Sequence, residues 1–264
     1  MNFTGKTLWI TGASSGIGRA VAIELSLKKC HLILSSRKKE DLDRVASICN
    51  KNGSTTSIIP FDLSDPVAVE QAAKTVFDNE INIDGLYHFG GISQRSYANE
   101  TSIAVDRKIF EVNFFGTIEL TKRILPAMIK NGGGQIGVTT SIVGKFGFPY
   151  RSSYAATKHA LHGFFESVRA ENVSNNILIS MIIPGRVKTN ISLNALDKDG
   201  NAHSKMDEGQ DKGLSAEKSA RIIVKKLEKE KKEILVGGSE LIMVQIRRLF
   251  PRLFYYLSTK VEPL

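Results

Sequence analysis

Cysteine and long apolar runs are scarce in this 264-residue chain. The only cysteines are Cys30 and Cys49, and their spacing fits neither a disulfide framework nor a metal-binding pair but suits a reducing compartment. No apolar run reaches the roughly 18 residues that a bilayer-spanning helix needs. Residues 1–6 lack the basic-then-apolar pattern of a secretory signal. These absences exclude a disulfide-stapled domain and predict a cytoplasmic protein without a membrane-spanning helix.

What is present is an ordinary globular composition with an excess of basic residues. Hydrophobic residues make up 42% of the chain and charged residues 24%, which excludes collagen and a disordered tail protein. The net charge is +9, and residues 215–264 hold 11 Lys and Arg against 6 Asp and Glu. This basic region fits an acidic partner such as anionic lipid, and it fits a solvated helix face equally well. Because no nucleic-acid recognition motif accompanies it, we expect no nucleic-acid partner.

Strand-length apolar segments alternate with helix-like segments along most of the chain. The predicted strands are residues 7–11, 31–36, 56–61, 83–89, 134–140, 177–183 and 233–236. The predicted helices are residues 17–27, 39–50, a segment that begins at Asp65-Pro66, and residues 103–130, 152–173 and 215–230. This alternation predicts an α/β fold, doubly wound, with helices on both faces of a mostly parallel sheet. We expect a single domain over residues 1–264.

Two segments near the C-terminus lack this alternation. Residues 190–213 are polar and have no period, and loops of this length inside a compact domain are usually lids or binding loops. Residues 239–264 form an apolar tail that contains Arg247, Arg248 and Arg252 and is broken by Pro251. Such a tail can lie on a membrane interface with its arginines at the headgroups. We favour the alternative, in which it packs within the molecule or a dimer beside the substrate pocket.

A glycine-rich turn lies between the first predicted strand and the first predicted helix. Glycines there allow a tight turn and let backbone N–H groups approach a pyrophosphate at the helix N-terminus. Glycines also mark purely structural turns, so the motif alone is a weak signal, but its position between a strand and a helix favours a dinucleotide site. The residues predicted to contact the dinucleotide here are Gly12, Ser14, Ser15, Gly16, Ile17 and Gly18.

The end of the second predicted strand bears on which dinucleotide binds. An acidic residue there would accept hydrogen bonds from a ribose 2′-OH, but this chain has Ser36, Arg37 and Lys38 instead. The Arg37 guanidinium suits a phosphate, so the sequence predicts NADP(H), with NAD(H) as the lesser alternative. Alternatively, these basic residues are solvent-exposed at the start of a helix and have no role in binding. Asp62, after the third strand, would accept from the adenine amino group or serve as a turn residue.

Four polar residues form a candidate catalytic set. Tyr154 and Lys158 are four residues apart on one predicted helix, and a lysine cation near a phenol lowers its pKa enough for proton transfer to a carbonyl. Ser141 follows the fifth strand, at the sheet edge where ligands bind in open α/β folds. Asn113 lies among apolar neighbours, and its amide would hold a proton-relay water or be satisfied within the core.

Together these motifs resemble the short-chain dehydrogenase/reductase family over about residues 5–190. The resemblance implies a single Rossmann-fold domain that uses NAD(P)(H) and forms a homo-oligomer, a dimer or tetramer. It also implies roles: Tyr154 as general acid/base, Lys158 on the nicotinamide ribose, Ser141 on the substrate oxygen and Asn113 on a water linked to Lys158. The other positions that it assigns to the cofactor are Asp62, Leu63, Gly90, Pro184, Gly185, Val187 and Thr189.

The chain departs from the family pattern after the fourth strand, where His88-Phe89-Gly90-Gly91 replaces the usual Asn-Asn-Ala-Gly. Gly90 and Gly91 still allow close backbone approach, whereas Phe89 removes an amide that braces the sheet. We expect His88 to be a core residue. His159 and His162 have no Asp or Glu partner at the spacing of metal ligands, so we expect no metal site. Ser141 does not lie in the G-x-S-x-G turn of a hydrolase nucleophile, so we expect no hydrolase triad.

The C-terminal half is more weakly similar to a subgroup that contains 11-beta-hydroxysteroid-dehydrogenase-like and dehydrogenase/reductase member 7-like proteins. The cues are residues 122–128 and a tail that mixes Leu, Phe, Tyr and Arg. The resemblance implies reduction of a small lipophilic ketone or aldehyde, or oxidation of the alcohol. The alternative is a non-catalytic NADPH-binding sensor whose basic tail engages a membrane or an acidic partner.

Overall fold

The computed structural model describes residues 1–258 and Lys260; the remainder of the predicted tail, Thr259 and residues 261–264, lies outside the described residues. The strands are β1 (Thr7–Thr11), β2 (His31–Ser35), β3 (Thr55–Ile58), β4 (Gly85–His88), β5 (Gly134–Thr139), β6 (Ile177–Pro184), β7 (Val187–Lys188), β8 (Leu214–Ser215) and β9 (Glu233–Val236). The helices are α1 (Gly16–Ser26), α2 (Lys39–Lys51), α3 (Pro66–Asp78), α4 (Ile103–Phe110), α5 (Gly116–Lys130), α6 (Ser152–Glu171), α7 (Glu208–Asp211), α8 (Ala216–Glu228), α9 (Ile242–Leu249) and α10 (Pro251–Ser258).

Seven strands form one parallel sheet in the order β3-β2-β1-β4-β5-β6-β9. The order reverses between β1 and β4, and ligands of open α/β sheets bind outside the carboxyl ends of the strands at such a point. The predicted doubly wound α/β fold of the Rossmann type is therefore confirmed. The two-residue strands β7 and β8 form a separate parallel pair.

Helices cover both faces of the sheet. The buried side chains of α1, α2 and α8 pack on one face, and those of α3, α5 and α6 pack on the other. Cys30 and Cys49 are buried and free. Burial raises the pKa of both thiols, so they stay protonated at neutral pH and unreactive.

Local sequence signals account for several helix boundaries. Asp65 caps α3, because its side chain accepts hydrogen bonds from the backbone N–H groups of Val67 and Ala68 while Pro66 occupies the first turn. The predicted helix over residues 103–130 is instead three consecutive pieces. Between α4 and α5 lies a π-helical segment, Glu111–Phe115. The apolar periodicity shows that this region is helical but does not show the wider π turn.

The two segments without alternation are more ordered than their sequence suggests. Within residues 190–213, Leu196 forms bridges with Gln94 and with Ala202, and α7 follows. The tail forms α9 and α10, which are separated at Phe250 just before Pro251. Phe254 of α10 is buried against Val143, Phe146 and Tyr154. None of the helices in the described part of the chain has the length and apolar character to cross a bilayer.

Candidate active site

A cavity of about 620 Å³ lies at the carboxyl ends of the sheet strands. Its floor is the turn after β1, where Gly12 has a φ of +68°. A Cβ atom at Gly12 would lie 2.5 Å from the Gly90 backbone nitrogen, and one at Gly18 would lie 2.3 Å from the Gly12 carbonyl oxygen. Only glycine fits both positions, so the turns after β1 and β4 touch through backbone and leave the helix α1 N-terminus open to the cavity.

The cavity gathers nearly all of the predicted site residues. Those that line it are Gly12, Ser14, Ser15, Gly16, Ile17, Gly18, Arg37, Asp62, Leu63, Gly90, Ser141, Tyr154, Lys158, Pro184, Gly185, Val187 and Thr189. Two predicted residues, Lys38 and Asn113, are not among its lining residues. Lys38 instead occupies the position before the first turn of α2.

The end of β2 offers polar groups to the cavity. Arg37 is exposed and lines it. The neighbouring Ser36 hydroxyl is buried and has no hydrogen-bond partner in the described residues. An unpartnered buried hydroxyl beside a guanidinium is a place where a ligand oxygen or phosphate would complete the hydrogen bonding.

The hydrogen bonds of Asp62 lie within its own turn. The Asp62 Oδ1 atom accepts from the Ser64 backbone N–H at 2.8 Å and from the Ser64 hydroxyl at 2.7 Å, so Asp62 is a turn residue that also lines the cavity.

His88 is buried, with Nε2 2.9 Å from the Thr121 hydroxyl. Burial lowers the pKa of His88 to about 3. The expectation that His88 is a core residue is therefore confirmed.

Helix α6 and the end of β5 bring three of the catalytic candidates together. Tyr154 and Lys158 share one face of α6, and the Lys158 Nζ lies 5.5 Å from the centre of the Tyr154 ring. Lys158 donates a hydrogen bond to the Thr139 backbone carbonyl at 2.9 Å. The Ser141 hydroxyl donates to the Pro184 carbonyl at a long 3.3 Å, which leaves it weakly engaged and able to turn toward a ligand.

Burial shifts the pKa of both groups on α6. It raises the pKa of the Tyr154 phenol, and the Arg95 guanidinium, the nearby Ser141 hydroxyl and the Arg151 guanidinium oppose that rise. It lowers the pKa of the Lys158 ammonium to about 8. Titratable groups displaced in this way within a cavity are typical of acid–base sites.

Asn113 is fully buried on the π-helical segment, beside the cavity wall. Its Oδ1 accepts from the Ile92 backbone N–H at 2.8 Å. Its Nδ2 donates to the Ile92 carbonyl at 2.9 Å and to the Thr157 hydroxyl at 3.2 Å. The side-chain amide thus joins the chain after β4 to α6. Its hydrogen bonds are satisfied within the core, which is the second of the two alternatives that the sequence raised.

The outer part of the cavity is formed by residues that the sequence did not indicate. Phe146, Phe148, Met243 and Phe254 give it an apolar wall, and the rings of Phe146 and Phe254 are 5.0 Å apart. Arg95, Arg151 and Asp207 give it charged side chains, of which Arg95 and Asp207 are buried and Arg151 is 13% exposed. These residues come from segments far apart in the chain; none was singled out from the sequence, although the predicted tail contains Met243 and Phe254 and the predicted lid contains Asp207.

One expectation about metal ligands is wrong. His162 and Glu166 are four residues apart on α6, and a ligand atom of each lies within 4.8 Å of one on Glu233 of β9. The His162 imidazole therefore does have acidic neighbours. The Glu233 carboxylate, however, already pairs with the Lys145 ammonium at 2.8 Å.

The sequence of this chain matches a family model described as short chain dehydrogenase over residues 6–200. The chain is a short-chain dehydrogenase/reductase. It is 38% identical over 257 residues to dehydrogenase/reductase SDR family member 7B of Xenopus laevis, an alignment that covers 95% of this chain and 80% of the relative. The resemblance to the member 7-like subgroup is thereby confirmed.

Solved structures of this family share the fold and carry nicotinamide cofactors. An alcohol dehydrogenase from Thermococcus sibiricus, complexed with 5-hydroxy-NADP, has a TM-score of 0.77 and 26% identity and covers 89% of this chain and 97% of that chain. A short chain dehydrogenase/reductase from Burkholderia phymatum, in complex with NAD, has a TM-score of 0.84 and 22% identity, with coverage of 100% and 98%; at this identity it shows the fold. This short-chain dehydrogenase/reductase is an NAD(P)-dependent oxidoreductase that binds a nicotinamide cofactor.

The residues of this chain fit that cofactor. The turns at Gly12 and Gly90 approach each other through backbone atoms and leave a cradle that a Cβ would fill. A pyrophosphate site requires such a cradle. The unpartnered Ser36 hydroxyl lies at the edge of the same cavity.

Proposed function

We propose that this chain is an NADP(H)-dependent carbonyl reductase, or alcohol dehydrogenase in the reverse direction, that acts on a lipophilic ketone, aldehyde or alcohol. The observation that carries the proposal is the single cavity in which Tyr154, Lys158 and Ser141 face the glycine cradle at one end and an apolar wall at the other. The name of its Xenopus relative, a dehydrogenase/reductase, is compatible with either direction.

In this proposal the protein residues manage the proton of the reaction. NADPH, when bound, supplies the hydride. Tyr154 donates its phenolic proton to the carbonyl oxygen of the substrate, and the Ser141 hydroxyl donates a hydrogen bond that fixes the same oxygen. The Lys158 ammonium stabilises the resulting phenolate and would hold the nicotinamide ribose. Asn113 keeps α6 in place through its bonds to Ile92 and Thr157.

The preference for NADP(H) rests on the end of β2. Arg37 provides a permanent cation, Ser36 provides a free hydroxyl, and no carboxylate stands there to repel a 2′-phosphate. Lys38 remains a secondary contributor, since a flexible ammonium next to Arg37 can reach a bound phosphate. The other residues proposed to hold the cofactor are Ser14, Ser15, Ile17, Asp62, Leu63, Pro184, Gly185, Val187 and Thr189.

The proposal is tested by assaying NADPH- and NADH-linked reduction of a panel of lipophilic ketones and aldehydes. We expect turnover with a kcat/KM ratio for NADPH over NADH above about ten, because a charge-assisted contact contributes roughly 1.5–3 kcal/mol. The double variant Ser36→Asp with Arg37→Ala should bring the ratio below one, since it adds repulsion and removes attraction. A parent enzyme that prefers NADH would contradict the cofactor assignment. NADPH binding without turnover on the panel would favour the sensor alternative.

We further propose that residues 190–213 act as the lid of one continuous domain over residues 1–264. Residues Ile191, Asn194 and Asp207 of this segment line the cavity, which supports the assignment. We also propose a homo-oligomer, a dimer or tetramer, as the family resemblance implies. Light scattering during gel filtration tests the oligomer.

The tail has two faces with different roles in this proposal. Met243 and Phe254 face the cavity, as the favoured sequence interpretation holds. On the outer face, Leu249, Phe250 and Leu253 are exposed near Arg248 and Arg252, so we propose that the enzyme lies in the cytoplasm and touches an anionic membrane surface there. Flotation with phosphatidylserine vesicles, but not with phosphatidylcholine vesicles, is the expected result. Equal binding to both or to neither would contradict it.

A further inference from the structure

Three charged side chains from distant segments form a buried cluster at the cavity. Arg95 lies in the loop after β4, Arg151 precedes α6, and Asp207 lies in the 190–213 segment. Their side chains are only 3%, 13% and 6% exposed. The Arg95 Nε donates to the two Asp207 carboxylate oxygens at 3.0 and 3.1 Å, and the Arg151 Nη2 donates to Asp207 Oδ2 at 2.7 Å.

Arg95 and Arg151 also contact residues outside the cluster, while the Arg151 Nη1 atom has no hydrogen-bond partner in the described residues. The Arg95 Nη1 donates to the Ser93 hydroxyl at 2.8 Å and to the Gln94 carbonyl at 2.6 Å. Arg151 is stacked 5.1 Å from the Phe148 ring centre, and its carbonyl accepts from the Ala155 N–H at 2.7 Å in the first turn of α6. Asp207 therefore joins the 190–213 segment directly to the helix that carries Tyr154.

The charges in the cluster do not cancel. Two guanidinium groups and one carboxylate leave a surplus of one positive charge, and a charge held away from water acts more strongly on its neighbours than an exposed one does. Tyr154 lies three residues after Arg151 and lines the same cavity as Arg95. Both guanidinium groups lower the pKa of Tyr154 against the effect of burial.

We propose that Asp207 is a positioning residue: it fastens the 190–213 lid over the cavity and holds Arg95 and Arg151 beside Tyr154, so that closing the lid assembles the positive charge that favours the phenolate. This inference rests on the proposed function only for the acid–base role of Tyr154. The fastening of the lid is independent of any turnover.

Few other charges face Tyr154 from the elements packed on it. Lys158 lies on its own helix, with Nζ 5.5 Å from the ring. The segment after β5 and the tail contribute the apolar Val143, Phe146 and Phe254. Of the cations on those two elements, Lys145 pairs with Glu233 and Arg247 lies over the rings of Phe254 and Tyr255, while Arg248 and Arg252 are exposed. The Glu240 carboxylate of the tail accepts from the backbone N–H groups of Arg186 and Gly238.

The first test measures hydrogen–deuterium exchange of residues 190–213 in the full chain without substrate. We expect Asp207→Asn to raise the exchange rate across this segment at least about fivefold, because the carboxylate that receives both arginines is lost. Asp207→Glu should restore most of the protection. Asp211→Asn is the matched control, since Asp211 lies in the same segment and pairs with Lys188 at the surface, and it should leave the exchange of residues 190–207 unchanged.

Unchanged exchange in Asp207→Asn would overturn the lid role, as would an equal increase in Asp211→Asn. If Asp207→Asn does not fold, Arg95→Gln supplies the same test, because it removes one of the two partners and leaves Arg151 to pair with Asp207. Exchange in Arg95→Gln must then rise in residues 190–213 and not in α8. A chain that shows no turnover with any carbonyl still gives this result, so failure of the proposed function is told apart from failure of the lid role.

The second test follows the pH dependence of kcat for alcohol oxidation, in which Tyr154 acts as base. Arg95→Gln removes one positive charge near the phenol, so the pH midpoint of the acid limb should rise by about 0.5–1 unit. Arg107→Gln, an exposed arginine on α4, is the control and should leave the midpoint unchanged. A merely structural role for Arg95 would lower kcat at every pH without moving the midpoint, and that result would overturn the charge role.

Discussion

The two ends of the cavity are built in different ways. The cofactor end is formed mainly by turns that follow β1 to β4, within the first 91 residues, together with residues 184–189 after β6, and its shape depends on backbone contacts such as that between Gly12 and Gly90. The substrate end is formed by side chains from the loop after β4, the segment before α6, residues 190–213 and the tail. A site made from backbone depends on which residues are glycine, whereas a site made from side chains depends on which distant segments meet.

The largest effect is expected where the two ends join. Tyr154→Phe keeps the ring and its packing and removes the proton donor, so turnover should fall by about two to four orders of magnitude while the Kd for NADPH stays within threefold. Tyr150→Phe is the matched control, because the Tyr150 hydroxyl bonds to the Tyr97 hydroxyl outside the cavity. Steady-state kinetics and NADPH fluorescence titration measure the two quantities. Turnover within tenfold of the parent in Tyr154→Phe would contradict the role of Tyr154 as the proton donor.

At the cofactor end, the most informative substitution is Gly12→Ala. A Cβ there meets the Gly90 backbone at 2.5 Å and the φ is +68°, so NADPH affinity should fall about ten- to a hundredfold, the equivalent of 1–3 kcal/mol of strain. Gly53→Ala is matched for positive φ but has no atom within 4 Å of the added Cβ. It should lower stability and spare NADPH binding. Equal loss of affinity in both variants would mean that strain, rather than the close approach to Gly90, is responsible.

At the substrate end, Phe254→Ala should raise the KM for a lipophilic carbonyl about tenfold, because it removes part of the apolar wall. The Kd for NADPH should be unchanged. Leu253→Ala, on the same helix but 46% exposed, should change neither value. A parallel loss of NADPH affinity in Phe254→Ala would show that the two ends are not independent.

The smallest effect concerns His88, at the departure after β4. Its pKa in the folded chain is about 3, below the ordinary 6.5, so the unfolded chain binds more protons below pH 6.5. Stability is then lost as the pH falls from 6.5 toward 3. His88→Gln should weaken this loss by roughly 1–2 kcal/mol between pH 6.5 and 5. Urea unfolding at pH 7 and pH 5 measures the difference, and equal losses in parent and variant would contradict a buried neutral imidazole.

The sequence was sufficient to predict the sheet, the glycine turn and the grouping of Ser141, Tyr154 and Lys158. The sheet and the glycine turn depend on local periodicity, and Tyr154 and Lys158 on their spacing along one helix, whereas Ser141 joins them through its position after the fifth strand and the family resemblance. It did not predict the π-helical segment that carries Asn113, because an apolar pattern does not distinguish a wider turn. Nor did it predict the pairing of Arg95 with Asp207, 112 residues away, because only the folded chain brings these two side chains together.

The proposed function requires that the cavity transfer hydride between a nicotinamide and a carbonyl carbon. The most direct measurement is mass spectrometry of the alcohol formed from a lipophilic ketone with NADPH deuterated at C4, using the two C4 epimers in separate reactions. We expect deuterium on the carbinol carbon of the product with one epimer and not with the other, and product formation that falls at least a hundredfold in Tyr154→Phe. An alcohol that carries no deuterium with either epimer would contradict hydride transfer from NADPH to the carbonyl carbon. Formation of labelled alcohol at the parent rate in Tyr154→Phe would contradict the role of Tyr154 in that reaction.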